Sequence, residues 1–159
     1  MGLYRISRNL EASFIDYLKT NLQIDWNIGR VEKTFAKIYD IELPSICIRV
    51  GDTIHNKAEI GDNSTIRNVH VLIDIFATSD GQRLDLKDYI IKKIKNGLYY
   101  YDYEIENGQV KTKTQNGRIR ILTIDETLIN FGTEKQDLDV HDRFRHLVDL
   151  TISLGKVEE

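Results

Sequence analysis

Residues Tyr99 to Leu122 read YYYDYEIENGQVKTKTQNGRIRIL, and the two Asn-Gly pairs inside this stretch, Asn107-Gly108 and Asn116-Gly117, decide how the chain is read. An Asn-Gly pair between alternating runs is a strong short-range signal for a two-residue hairpin turn, because both central residues of that turn need positive φ. Counting outward from Asn107-Gly108 sets Glu106 opposite Gln109, Ile105 opposite Val110, Glu104 opposite Lys111, Tyr103 opposite Thr112 and Asp102 opposite Lys113. Counting outward from Asn116-Gly117 sets Thr114 opposite Ile119, Lys113 opposite Arg120 and Thr112 opposite Ile121, which is a compatible register. The expectation is a three-stranded antiparallel meander with Tyr101, Tyr103, Ile105, Val110, Thr112, Ile119 and Ile121 on a buried face and the charges on a wet one. Glu104 with Lys111 and Asp102 with Lys113 would be opposite-sign pairs worth about 0.2 to 1 kcal/mol each. Arg118 and Arg120 have no acidic partner within the meander and are expected to meet another group.

Upstream, Ser7 is placed to cap a helix reaching Leu22, since Leu10, Phe14 and Leu18 recur at intervals of four with Ile15 beside them. Val31 to Tyr39 has strand composition, and Pro44 precedes a strand from Ser45 to Val50 in which Ile46, Ile48 and Val50 alternate with Cys47 and Arg49. Gly51 to Thr65 is poor in large apolar residues and reads as a long loop. From Ile66 to Ala77 both strand faces are largely apolar, with Val69, Val71, Ile73 and Ile75 on one and Asp74 the exception on the other. That pattern predicts a central strand covered by a helix on at least one face. Ser79 and Gln82 have capping-box spacing for a second helix with Leu86, Ile90 and Ile94 as its stripe and Gly97 as its end. Thr123 to Val140 reads as a second long connection, and His141 to Leu154 as the longest strand, with Phe144, His146, Val148, Leu150, Ile152 and Leu154 on one face.

The fold class expected is therefore α+β: a mostly antiparallel sheet with a C-terminal meander and a long closing strand, packed by two amphipathic helices in a single domain over residues 1–159. A formal net charge of -3 argues against a general nucleic-acid binder while leaving room for a local basic patch. With Cys47 as the single cysteine, no intrachain disulfide can form. No stretch approaches the roughly 20 apolar residues of a membrane span, and no signal-peptide core is present at the start, so a soluble protein made in the cytoplasm is expected.

No phosphate loop, dinucleotide fingerprint or His-Glu-x-x-His run occurs in the chain. His55, His70, His141 and His146 fall in different elements or on opposite strand faces, and Cys47 reads as a small buried strand residue. Asp74 reads as a buried carboxylate paired with Arg49 or with backbone donors, ahead of a nuclease-like metal site formed with the region of Asp137 and Asp139. A basic ribbon made by Lys111, Lys113, Arg118 and Arg120 beside Tyr99 to Tyr101 and Tyr103 could meet nucleic-acid phosphates, but the paired acidic residues and the alternation of the rings favour core packing. No catalytic, cofactor-binding or metal-binding residue is expected, and no cofactor.

The order of these elements, an N-terminal amphipathic helix, the strand Pro44 to Val50, the strand Val69 to Ala77 running into a capped helix, the meander Tyr99 to Leu122 and the closing strand Arg143 to Leu154, resembles the tail terminator proteins of long-tailed bacteriophages, also called tail-completion or tail-to-head joining proteins. The resemblance is one of size, element order and strand character over nearly the whole chain. It implies a non-enzymatic virion protein, assembled in the host cytoplasm, that forms a ring with itself, usually of six copies. It implies further that the ring sits on the last ring of the tail tube, ends polymerisation of the tube protein, and meets the head-completion or connector protein. DNA would pass through the ring without specific binding, and no membrane is involved. In that setting Arg118, Arg120, Lys111 and Lys113 are the candidates for the subunit or tube interface, and the Gly51 to Thr65 segment orders on assembly. Two alternatives stand beside it: a small metal-dependent nuclease or hydrolase built on Asp74, and a basic-ribbon nucleic-acid-binding protein.

Overall fold

The computed structural model describes residues 5–27, 31–32, 42–61, 63–129, 138 and 141–158. Helix α1 spans Ile6–Trp26 and strand β1 spans Val31–Glu32. Then come β2 (Ser45–Lys57), β3 (Thr65–Phe76), helix α2 (Asp80–Ile94), β4 (Leu98–Glu106), β5 (Gln109–Leu128) and β6 (Arg145–Glu158). The strands form one six-stranded sheet in the order β1-β2-β3-β6-β5-β4, in which only β1 and β2 run parallel. The α+β class and the central place of β3, between β2 and β6, are as the apolar patterning predicts.

Both helices lie on one face of the sheet. Leu10, Phe14, Leu18 and Leu22 of α1, and Leu86, Ile90 and Ile94 of α2, join Val69, Val71, Ile73 and Ile75 of β3 and Val148, Leu150 and Ile152 of β6 in one buried cluster. Each of these side chains contributes about 1.5 to 3 kcal/mol when taken from water, so this layer is the main support of the fold. The opposite face carries a smaller cluster, in which Cys47 and Phe76 pack with Leu43.

Several boundaries differ from the sequence reading. Ser7 is not the cap of α1: Arg5 occupies that position, and the Ser7 hydroxyl instead accepts a hydrogen bond from Arg67 Nη1 at 3.0 Å. The helix runs a turn past Leu22 and closes on Asn27 in the left-handed region, φ 54°. The first half of the Gly51 to Thr65 segment is strand and not loop, because β2 continues to Lys57 and pairs with β3 from Thr53↔Val69 to Lys57↔Thr65. From Asp52 to Lys57 its side chains are exposed apart from a half-buried Thr53, so no apolar alternation marks it. Of the strand expected over Val31 to Tyr39, Val31 and Glu32 are strand and residues 33–39 lie outside the described residues. The expected connection Thr123 to Val140 is strand as far as Leu128, and residues 130–137 and 139–140 also lie outside. Residues 141–144 form a turn, so β6 begins at Arg145, and its 14 residues are exceeded by the 20 of β5.

The meander is the larger correction. Asn107 and Gly108 have φ 52° and 78°, as a tight hairpin turn requires. At the second pair only Gly117 has positive φ, 111°, and the chain does not reverse there. Asn116 and Gly117 lie in a bulge instead, since β5 advances from Gln115 to Arg118 while β4 retreats only from Tyr101 to Tyr99. A second extra residue, Lys111, separates Val110 from Thr112, so that Glu104 faces Thr112, Tyr103 faces Lys113 and Asp102 faces Thr114. The two expected cross-strand ion pairs therefore do not form. Beyond the bulge β5 crosses to β6, with Ile121 opposite Ile152 and Leu128 opposite His146.

Candidate assembly surface

The sheet is curled, and α1 ties its two sides. Ser13 Oγ accepts the backbone N–H of Tyr101 in β4 at 3.1 Å, and Glu11 Oε2 accepts that of Val50 in β2 at 3.3 Å. Around the first contact, Asn9, 2% exposed, donates from Nδ2 to the Tyr100 hydroxyl and to Asp102 Oδ1, both at 3.3 Å. Tyr103 donates to Asp16 Oδ2 at 2.9 Å. Burial pushes the Tyr100 phenol up to about 12, and burial together with the Asp16 bond raises that of Tyr103. Both hydroxyls tie β4 to α1, that of Tyr100 by accepting and that of Tyr103 by donating. The sequence hinted at this only through Asn9 and Ser13, two polar residues beside the apolar stripe of α1.

Beyond the core the sheet extends into two ribbons. One is the distal half of β2 and β3, along which β6 pairs on the other side of β3, and here Ile54 is 55% exposed and Ile60, in the connecting turn, is fully exposed. The other is the β4–β5 hairpin, where residues 109–116 are all exposed, including Val110 at 58%. Strands in globular proteins have a modal length of about 5 to 6 residues, so strands of 12, 13 and 20 residues exceed what this core covers. Between α1 and the β4–β5 ribbon runs a groove of about 520 Å³ bordered by Arg5, Asn9, Glu106 and Lys111, with an adjoining hollow of about 390 Å³ that reaches Ile15, Ile105 and Val110. Among the described residues, β1 covers the outer edge of β2 only at Ile46 and Cys47.

The four candidate cations do not form one patch. Lys111 pairs with Glu106 at 3.0 Å, and Lys113 reaches across to Asp16 of α1 at 2.8 Å while lying over the Tyr101 ring. Arg118, expected to meet a group outside the meander, donates to the Asn96 carbonyl at 2.8 Å and stacks over Tyr99, next to buried Ile119. Arg120 is exposed, opposite Ser153. The bulges at Lys111 and Gly117 break the single face that two turns would have produced.

Of the residues considered for chemistry, Asp74 and Cys47 are buried in the sheet. Asp74, 1% exposed, accepts from Arg49 Nη2 at 3.4 Å, as the sequence suggested, and from Arg145 Nη2 and Nε at 3.2 and 3.3 Å, a partner the sequence did not reveal. Burial pushes its carboxyl above the usual range, with Arg145 and then Arg49 pulling against that rise. Asp137 and Asp139, its suggested partners, lie outside the described residues. Cys47 is fully buried opposite Asp74, and burial raises its thiol to about 11. His70 Nδ1 lies 3.0 Å from Asp149 on the outer face, and His146 packs on the helix side. Among the described residues no three His, Cys, Asp or Glu side chains gather as a metal site would need, and no helix is long and apolar enough to cross a membrane.

No protein-family model matches this chain, and no curated protein matches it.

Proposed function

We propose that this chain is a structural protein of a long-tailed bacteriophage that assembles with copies of itself into a ring on the end of the tail tube, stops tube growth and forms the tail side of the head-to-tail junction. The observation that carries the reading is the pair of exposed extensions, the distal part of β2 with its turn and the β4–β5 hairpin, which stand on opposite sides of the sheet because its order runs from β2 and β3 at one side to β5 and β4 at the other. Contact between unlike surfaces on two sides of a subunit propagates head to tail and closes into a ring when the rotation per subunit divides a full turn. Uncovered strand edges and isolated apolar tips are the features that neighbouring copies cover on assembly. A net charge of -3 suits a ring through which DNA slides, since a lumen of like sign does not hold the polymer.

The basic-ribbon alternative has less behind it. Lys111 and Lys113 are paired with carboxylates, and Arg118 is engaged by a carbonyl and a ring. The test is to mix the protein with growing tail tubes and image the ends by negative stain. Rings on one end and shorter tubes support the proposal; bare ends and unchanged tube lengths overturn it.

A further inference from the structure

Arg83 falls in the same helical stripe as Leu86, Ile90 and Ile94, and His146 falls in the same alternating series as Val148, Leu150 and Ile152. Each is thus a polar residue at a core-facing position, 8% and 5% exposed respectively, and they face each other: Arg83 Nη1 donates to His146 Nδ1 at 2.8 Å. A matched apolar pair of similar volume would hold α2 at least as well, because buried charge is expensive to desolvate. The pair has a property that an apolar pair lacks. His146 Nδ1 can accept from Arg83 only while it carries no proton, so the ring must be neutral with its hydrogen on Nε2, an atom that is buried and has no hydrogen-bond partner among the described residues.

We infer that Arg83 and His146 form an acid-released latch, which holds the N-terminal half of α2 on the sheet when the imidazole is neutral and lets it lift when Nδ1 takes a proton. Protonation removes the acceptor from a guanidinium whose other described partner is Asp80 Oδ1, 3.3 Å from Nε, and sets two cations side by side out of water. The other charged groups around the ring are Lys87 and Asp88 from α2 and Glu126 from β5, while β3 contributes Ile75 at the paired position. Lys87 already bridges Glu126 at 3.1 Å and Asp88 at 3.2 Å, so neither carboxylate is idle. Burial, and then Arg83, lower the affinity of the ring for a proton, so the latch is closed at neutral pH. The C-terminal half of α2 is held separately, by Ile90 and Ile94 in the core and by the Tyr17 hydroxyl donating to the Lys93 carbonyl at 2.7 Å.

Amide hydrogen exchange on the full chain tests this at about pH 7.5 and about pH 5, either side of the ordinary histidine value of about 6.5. After correction for intrinsic exchange, protection over residues 80–87 should fall roughly tenfold or more at the lower pH, while α1 from Leu10 to Leu22 keeps its protection. His146→Gln offers Arg83 an acceptor that does not titrate in this range and should abolish the pH dependence; Arg83→Met removes the charge from the stripe and should weaken it, since the burial of the ring remains. Equal protection of residues 80–87 at both pH values in the natural chain, or a pH dependence that is undiminished in whichever variant folds, overturns the latch.

Discussion

The Ser13 hydroxyl, on the first helix, accepts the backbone N–H of Tyr101, on the edge strand β4, at 3.1 Å. An edge strand carries backbone donors that no neighbouring strand satisfies, and here a helix side chain takes one of them. Ser13 is 2% exposed, so water does not readily replace it. Ser13→Ala should cost about 1 to 3 kcal/mol in urea unfolding, the usual penalty for stranding a buried donor, and should speed exchange of the Tyr101 amide. Loss of stability with an unchanged Tyr101 amide would show that the hydroxyl acts elsewhere.

Two glycines with the same sign of φ should behave differently. Gly97 has φ 84°, and a Cβ built there would sit 2.5 Å from the Ile119 carbonyl oxygen, whereas Gly108 has φ 78° and open space around it. Gly108→Ala should therefore cost only the left-handed strain of about 1 to 2 kcal/mol. Gly97→Ala adds a backbone clash between the α2–β4 link and β5, and should lower the denaturation midpoint clearly more. Equal midpoints would contradict the packing of Gly97 on Ile119.

Asp74 joins two strands through two guanidiniums. Removing the carboxylate from a buried ion pair costs about 3 to 5 kcal/mol. Asp74→Ala should show a loss of that size in chemical denaturation, while Arg49→Ala, on the more exposed partner, should cost less because Arg145 stays in place. Similar losses in the two variants would argue against Arg145 as the main partner.

Cys47 should be silent until the protein unfolds. The thiolate is the reactive form, and burial has raised the thiol to about 11 with the side chain fully covered. A thiol-specific reagent at mildly alkaline pH should label less than stoichiometrically in native buffer and completely in denaturant; rapid native labelling would mean that the Cys47, Phe76 and Leu43 cluster opens readily.

What could be read from residues alone follows from where the signal lies. Both helices, the Asn107-Gly108 turn and the inward series of β6 were legible, because local dihedral demands and apolar periodicity mark them. So was the pairing of Asp74 with Arg49, because a buried carboxylate on a strand has few ways to be satisfied. The bulge at Gly117 was not, since the same dipeptide serves a turn or a bulge and only the φ of Asn116 separates them. Nor was the continuation of β2 from Gly51 to Lys57, whose strand character rests on backbone pairing with β3 and whose mostly exposed side chains show no buried face. The contacts of Ser13 with Tyr101 and of Arg83 with His146 join residues 88 and 63 positions apart, a distance over which local pattern carries no information.

The proposed ring depends on the two ribbons acting as assembly surfaces. The most direct measurement is the particle mass in solution, by sedimentation velocity, for the natural chain and for Ile54→Asp with Val110→Asp, each alone and mixed with tail-tube ends. Closed particles at a whole multiple of 18.5 kDa, lost in the double variant while its circular dichroism is unchanged, are the predicted result. A natural chain that stays monomeric in both settings, or a double variant that assembles as well as the natural chain, would contradict the account.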